Sequence, residues 1–351
     1  MAITFKEINL QYQALHKTYS YMESKKSEIN NFYQKYNKLG FTFIGCGSGY
    51  NLCQSGEFIA QKELGKKACA VAGGDLMLNV EEYKKIYNDS ILIIPTRSGS
   101  TSEIVYAVKQ IKKNNKDIPI IVITCKENSI LSNLADLVVE IPWAFDESVC
   151  QTRSVTNLYT VLLMLIAYFS NNDKRIIKLK QIIDNGDSYI ESIKPGLEKI
   201  AKLDWENVIA LADGEVQGLV SEGALAFTEI SRKPGAFYHI LDVRHGPMVL
   251  IRSKTLVLIC LSKAPEKYTL DLIKDLISNQ AKVIVYADES TKLPEGVLLQ
   301  INSNLKINDG LCGIPFIGIA QLLSYYKAIN DNVDPDKPDG LDAWIELDCQ
   351  N

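Results

Sequence analysis

Residues 91–101 read ILIIPTRSGST, and this stretch decides the fold class. Its short apolar run suits a strand that is covered on both faces, because a buried helix would need a longer run. Hydroxyl residues, an arginine and a glycine follow at once, and an amphipathic pattern comes next over 102–113. A strand, a short loop and a helix in this order predict one β-α unit of a parallel sheet, with the loop at the carboxyl end of the strand.

The same kind of unit recurs along the chain, and the whole series occurs twice. Between the apolar runs lie helical patterns, and each series ends in a long apolar helix, at 153–170 and at 313–330. The two series are offset by roughly 160–165 residues, which is typical of an internal repeat. We therefore predict an α/β protein made of two tandem doubly wound parallel sheets. The paired strand-like runs are 41–47 with 207–214, 91–95 with 255–261, 120–124 with 282–287, and 137–141 with 297–301.

The repeat predicts five segments in the 351 residues. These are an N-terminal helical segment at 1–40, a first domain at 41–172, a bridging helix at 173–200, a second domain at 201–330, and a C-terminal arm at 331–351. Two domains agree with the usual size of roughly 100–200 residues each. The last segment is rich in Asp, Pro and Gly, which is typical of a surface arm.

Composition and charge narrow the class of protein. Apolar residues make up 46% of the chain and charged residues 23%, as in ordinary globular proteins. The net charge of -4 gives no general attraction to nucleic acid or to an anionic membrane, so we expect neither as a partner. No signal-peptide pattern and no membrane-length apolar run is found, and we expect a cytoplasmic protein. The eight cysteines are scattered without metal-ligand spacing, so we expect reduced thiols, no metal and no cofactor.

The loop at 96–101 is the first candidate site. Backbone N–H groups at a helix start attract an anion, and hydroxyl groups add further donors. A helix cap is the alternative interpretation, but a cap needs only one or two hydroxyl residues and the loop has four. The pattern therefore indicates a phosphate site. Its residues are Thr96, Arg97, Ser98, Gly99, Ser100 and Thr101.

Three other patterns carry less information. The turn GCGSG at 45–49 resembles a phosphate-binding turn, although a purely structural turn explains it equally well. Glu222 and Glu229 lie on one face of an apolar helix pattern, where a carboxylate suits general-base work, and two solvated acids are the alternative. His245 precedes a Gly-Pro pair and suits proton transfer near neutral pH, and a structural histidine is the alternative.

Together these residues resemble the sugar isomerase (SIS) domain family. The loop TRSGST resembles the S-x-S-G-x-[ST] signature of SIS domains, and DESVCQT at 146–152 resembles the E-x-x-V-x-x-T run after their fourth strand. Residues 222–251 are similar to the second SIS domain in the isomerase half of glucosamine-6-phosphate synthase. The resemblance implies a sugar-phosphate substrate and a homodimer with a shared active site.

The resemblance also implies roles for individual residues that bind the substrate. The synthase has a glutamine where this chain has Arg97, and we expect the guanidinium to add a charge-assisted contact. The expected phosphate ligands are Thr96, Ser98 and Thr101, and the expected sugar contacts are Ser48, Val149 and Gln151.

By the same resemblance, Glu229 corresponds to the carboxylate that moves a proton between the first two sugar carbons. His245 corresponds to the histidine of ring opening, which reaches the neighbouring subunit's site, and Glu222 corresponds to a further acid of that helix. Two lysines of the synthase are replaced here: Ala226 stands at the first position, and Ala343 lies near the position of the Schiff-base lysine. These replacements put a Schiff-base mechanism in doubt.

The function expected from these residues is that of a phosphosugar isomerase or deaminase, acting on a hexose 6-phosphate or an amino-sugar phosphate. We expect no glutaminase domain, because 1–40 is too short to hold one. A fructosamine-6-phosphate deglycase is one alternative, since its substrate already carries the nitrogen. A non-catalytic protein that senses sugar phosphates is the other.

Overall fold

A computed structural model of the protein describes residues 2–307 and 309–347. The chain divides into two compact units. The first unit consists of Leu10–Ile183 and Gly340–Asn351, and the second unit consists of Met1–Asn9 and Asp184–Asp339. Each unit contains one parallel five-stranded sheet, which confirms the predicted α/β class with two doubly wound sheets. The boundaries of the five predicted segments stay a prediction.

Strands and helices alternate along the chain. The helices are α1 (Ile3–Asn9), α2 (Gln11–Tyr36), α3 (Ser48–Leu64), α4 (Gly73–Leu78), α5 (Lys84–Tyr87), α6 (Ser102–Asn114), α7 (Arg153–Phe169), α8 (Asp173–Ala201), α9 (Gln217–Ser231), α10 (Lys267–Ser278) and α11 (Gly313–Asn330). The strands are β1 (Gly40–Gly45), β2 (Ala68–Ala72), β3 (Ser90–Thr96), β4 (Ile120–Thr124), β5 (Leu137–Glu140), β6 (Asn207–Leu211), β7 (Gly235–Tyr238), β8 (Thr255–Cys260), β9 (Lys282–Tyr286) and β10 (Leu299–Ile301).

The sheet of the first unit has the strand order β2-β1-β3-β4-β5, and all its pairs are parallel. Strands β3 and β4 are buried along their whole length, because helices cover both faces of the sheet. The strand order reverses between β1 and β3. In sheets of this kind a crevice opens at that point, beyond the carboxyl ends of the two strands, and ligands bind there.

Helix α6 shows how the sequence pattern becomes packing in the first unit. Its apolar residues Ile104, Val108 and Ile111 recur at helical spacing and are fully or almost fully buried in the core under the sheet. Burying each such side chain stabilises the fold by roughly 1.5–3 kcal/mol. Helix α7 is buried on nearly all sides. Among the described residues, no helix combines the length and apolar character that crossing a membrane requires.

The sheet of the second unit has the order β7-β6-β8-β9-β10, again with parallel pairs throughout. Replacing each strand by its position in the unit gives the same order as in the first sheet. The internal repeat seen in the sequence is therefore a repeat of topology.

One strand in each unit, β2 in the first and β7 in the second, was not predicted from the sequence. Both lie at the edge of their sheet, and most of their residues are only partly buried. Their sequences, ACAVA and GAFY, are poor in β-branched residues, so neither shows the continuous apolar pattern of a central strand. The N-terminal helical segment also consists of two helices, α1 and α2, which belong to different units.

Candidate functional site

The two loops of the crevice in the first unit approach each other closely. A Cβ atom on Gly49, in the first turn of α3, would lie 2.8 Å from the carbonyl oxygen of Pro95 at the end of β3. Only glycine permits this approach, which gives the glycine-rich turn at 45–49 a structural reason. The same turn brings Ser48, which is buried, to the end of β3. A predicted sugar contact therefore adjoins the predicted phosphate loop.

Within the loop at 96–101, the hydroxyl oxygens organise the backbone. The Gly99 N–H donates to Thr96 Oγ1 at 3.2 Å, and the Ser100 N–H donates to Ser98 Oγ at 3.3 Å. Thr96 and Ser98 are buried, and Gly99 has a φ of +62°. A hydroxyl that accepts a hydrogen bond still has its own hydrogen to donate. The loop therefore holds two fixed hydroxyl donors of the kind that a phosphate oxygen accepts from.

The start of α6 does not form the side-chain cap that was the alternative interpretation of this loop. Thr101 is the N-cap residue, and its side chain makes no capping hydrogen bond. One acid lies in the first turn: Glu103, whose Oε2 is buried and has no hydrogen-bond partner in the described part of the chain. Burial raises the pKa of the Cys46 thiol to about 11, and the carboxylate of Glu103 adds to the shift. The helix start thus combines amide donors with a nearby acid.

Arg97 is buried, and its guanidinium faces backbone carbonyl groups. Nη1 donates to the carbonyl oxygen of Ser148 at 2.9 Å, and Nη2 donates to that of Ala343. From the sequence, this guanidinium was expected to contact the substrate. In the structure, its two terminal nitrogens donate hydrogen bonds to two other segments of the first unit.

The loop before α7 is held by a buried aspartate. Asp146 accepts hydrogen bonds from the backbone N–H groups of Thr152 at 2.7 Å and Ser154 at 3.0 Å, so it fixes the start of the helix. Val149 and Gln151, the predicted sugar contacts, lie between these residues and are partly exposed. Through the bond from Arg97 to Ser148, the structure links this loop to the loop at 96–101.

Residues 340–347 also belong to the first unit and lie at the start of α6. The Ser102 N–H donates to the carbonyl oxygen of Ile345 at 3.2 Å, and the Leu347 N–H donates to Ser102 Oγ at 2.9 Å. The ammonium of Lys126 lies 5.8 Å from the ring centroid of Trp344. Sequence reasoning missed this docking, although the apolar residues of WIEL at 344–347 are a signal for it in an otherwise polar tail.

The remaining predicted residues lie in the second unit. Glu222 is buried and Glu229 is partly buried, and both belong to α9. His245 is exposed, and its backbone N–H donates to the carbonyl oxygen of Asp242 at 2.9 Å. The apolar side chain of Val249, four residues further on, is 68% exposed. His245 therefore lies at the surface of the second unit, near the exposed side chain of Val249 in the sequence, and not in the interior.

The loop of the second unit that corresponds to 96–101 has a different chemistry. Residues 261–266 read LSKAPE, with one hydroxyl and a proline, and Glu266 is the N-cap residue of α10. The loop borders a cavity of about 170 Å³ that Asp213 also lines. With one hydroxyl residue and a carboxylate at the N-cap position of α10, this loop lacks the set of hydroxyl donors on which the predicted phosphate site at 96–101 depends.

Known proteins resemble this chain over nearly its whole length. Residues 39–168 match the SIS domain. An isomerizing glutamine–fructose-6-phosphate aminotransferase from Wigglesworthia glossinidia brevipalpis is 28% identical over 95% of this chain, and the chain spans 55% of that protein. A D-galactosamine-6-phosphate deaminase from Escherichia coli is 26% identical over 95% of this chain and 91% of its own length.

A solved structure agrees in fold. Glucosamine-6-phosphate deaminase from Thermotoga maritima superposes with a TM-score of 0.72 at 26% identity, covering 94% of this chain and 100% of the deaminase. These matches confirm the resemblance to SIS proteins that the sequence motifs indicated.

Proposed function

We propose that this chain, whose residues 39–168 match the SIS domain, is a phosphosugar isomerase or deaminase. Its substrate is a hexose 6-phosphate or an amino-sugar phosphate. The named relatives act on sugar phosphates or amino-sugar phosphates, which supports the substrate class.

The observation that carries the proposal is the geometry of the loop at 96–101. Thr96 and Ser98 are buried at the end of β3 with their hydroxyls fixed by the loop's own amides, and the helix that follows has no side-chain cap. We assign the phosphate of the substrate to these donors and to Thr101. Anchoring the phosphate fixes the sugar chain, so that reaction at its other end resembles an intramolecular step.

Proton transfer is assigned to Glu229. Its carboxylate removes a proton from the carbon next to the carbonyl or imine and returns it to the former carbonyl or imine carbon. The proton of the adjacent hydroxyl moves to the carbonyl oxygen or imine nitrogen, so that aldose and ketose forms interconvert. The partly buried position of Glu229 on α9 supports this role, because a general base must reach a bound substrate from within the protein surface. Glu222, buried on the same helix, is assigned to the catalytic site as its second carboxylate.

Ring opening is assigned to His245 of a second copy of the chain. The exposure of this histidine, and of the apolar side chains of Val249 and Leu250 that follow it, supports a partner surface there. Neighbouring large apolar side chains that are exposed are typical of a surface that another protein chain covers. A homodimer is therefore part of the proposal.

One observation favours a second candidate, a fructosamine-6-phosphate deglycase. Ala343 lies within hydrogen-bond distance of Arg97, so the place where the resemblance puts a Schiff-base lysine adjoins the predicted phosphate loop. An alanine there removes the amine that would form the Schiff base. A substrate that already carries its nitrogen does not need that amine.

The test is a substrate panel of hexose 6-phosphates, amino-sugar phosphates and fructosamine 6-phosphates, assayed with wild type and Glu229→Gln. We expect turnover of one class, and a loss of at least about 100-fold in kcat for Glu229→Gln with phosphate affinity retained. Glu206→Gln is the matched control, because Glu206 is 64% exposed in the same unit.

Unchanged turnover in Glu229→Gln would remove the assigned base. Thermal stabilisation by one sugar phosphate without turnover of any would instead support a sugar-phosphate sensor. A monomer in sedimentation at assay concentration would remove His245 from a shared site.

A further inference from the structure

Arg97 joins three segments of the first unit, and we infer that it is a positioning residue that couples phosphate binding to the docking of residues 340–347. The inference rests on the proposed function, because it takes the loop at 96–101 as the phosphate site. It departs from the expectation that the guanidinium mainly contacts the substrate.

The contacts of the guanidinium carry the first step. The side chain belongs to a residue that is only 4% exposed, and it bonds the carbonyl oxygens of Ser148 and Ala343. Ser148 precedes the predicted sugar contacts, and Ala343 belongs to the C-terminal segment. Because one planar group holds both carbonyls, a movement of either segment changes the geometry at the other.

The charge of Arg97 carries the second step. Within the ranges that the structure describes, Arg97 forms no ion pair, and its Nε has no hydrogen-bond partner. A buried cation is costly unless an opposite charge compensates it. A phosphate bound in the same loop would supply that charge. It would favour the guanidinium position that also holds Ala343.

A second attachment places the C-terminal segment along the loop. Ser102, the first residue of α6, exchanges hydrogen bonds with Ile345 and Leu347. Residues 343–347 are therefore held at two points, at Arg97 and at Ser102, and the predicted phosphate ligands Ser98 and Thr101 lie between these two points in the sequence. Since coupling between two binding events is reciprocal, phosphate should strengthen docking by the same factor by which docking strengthens phosphate binding.

The experiment measures both sides of this coupling in the full chain, with inorganic phosphate as the probe. Hydrogen exchange followed by mass spectrometry reports the protection of residues 340–347, and calorimetry reports phosphate affinity. We compare wild type, Arg97→Gln, Arg97→Lys and Trp344→Ala, with Lys109→Gln as the control that removes an exposed cation from α6.

In wild type and Lys109→Gln, phosphate should slow exchange in 340–347 by about tenfold, the factor expected when one hydrogen bond of the docked segment is strengthened. Arg97→Gln should abolish this response and weaken phosphate binding by about tenfold, and Arg97→Lys, which keeps the charge, should fall between. Trp344→Ala, which loosens the segment without touching the loop, should also weaken phosphate binding.

The outcomes separate the two proposals. If phosphate binds to wild type but exchange in 340–347 does not respond, or if Trp344→Ala leaves affinity unchanged, the coupling is wrong and the proposed function stands. If wild type binds neither phosphate nor any sugar phosphate, the proposed function fails first.

Discussion

Replacing Gly99 by alanine tests whether the loop at 96–101 is built as described. A Cβ atom at this position would lie 2.1 Å from Ser129 Oγ and 2.4 Å from Ser129 Cβ, and the residue has a φ of +62°. The left-handed backbone costs an L-residue about 1–2 kcal/mol. Forcing Ser129 and its segment to move costs about 1–3 kcal/mol more. We expect Gly99→Ala to lower the free energy of unfolding of the first unit by about 2–5 kcal/mol, as the two costs add.

Gly65→Ala measures the cost of the left-handed backbone without the cost of a steric clash. Gly65 has a φ of +61°, and a Cβ atom there would meet nothing within 4 Å. This variant should lose only the backbone cost of about 1–2 kcal/mol. Chemical denaturation measures both variants, and a thermal midpoint lowered by on the order of 10 °C is expected for Gly99→Ala. Phosphate affinity should fall only in Gly99→Ala, because only that loop is displaced.

Ser129→Gly provides the rescue. It removes the two atoms nearest to the new Cβ and leaves only Thr124 Oγ1, at 3.1 Å, although it also removes the hydroxyl that contacts Ser132 at 2.8 Å. The double variant should therefore be more stable than the sum of the single changes predicts, by about 1–3 kcal/mol. Equal losses in Gly99→Ala and Gly65→Ala would refute the argument, since they would mean that the loop accommodates the extra carbon.

Two further predictions concern buried groups near the site. Asp146→Asn should lower the free energy of unfolding by about 2 kcal/mol, measured by chemical denaturation, because a neutral side chain replaces the charged acceptor of the Thr152 and Ser154 amides. Cys46 should react slowly with iodoacetamide at neutral pH and faster as the pH approaches 11, because burial raises the pKa of its thiol to about 11 from the reference value of 9.0. By linkage, the neutral thiol stabilises the folded state fully below pH 9, and this stabilisation is lost as the pH rises towards 11. The free energy of unfolding of Cys46→Ala should therefore fall less than that of wild type between pH 9 and pH 11.

Much of the architecture follows from short stretches of sequence. The runs ILIIP and IIVIT had to be strands covered on both faces, and the structure buries every residue of β3 and β4. The spacing of apolar residues in 102–113 gives α6 one buried face. These features depend on neighbours within a few residues, so local patterns determine them. The repeat of the pattern then determined that two sheets of one topology form.

The tertiary structure alone decided what holds the loop at 96–101. The edge strands β2 and β7 are strands because a central strand offers them hydrogen-bonding partners, not because of their composition. Arg97 bonds Ala343, which is 246 positions away, and residues 340–347 join the first unit while Met1–Asn9 joins the second. No periodicity in the sequence can predict a contact partner at such a distance. The contact between Arg97 and Ala343 forms only when folding brings the two remote segments together.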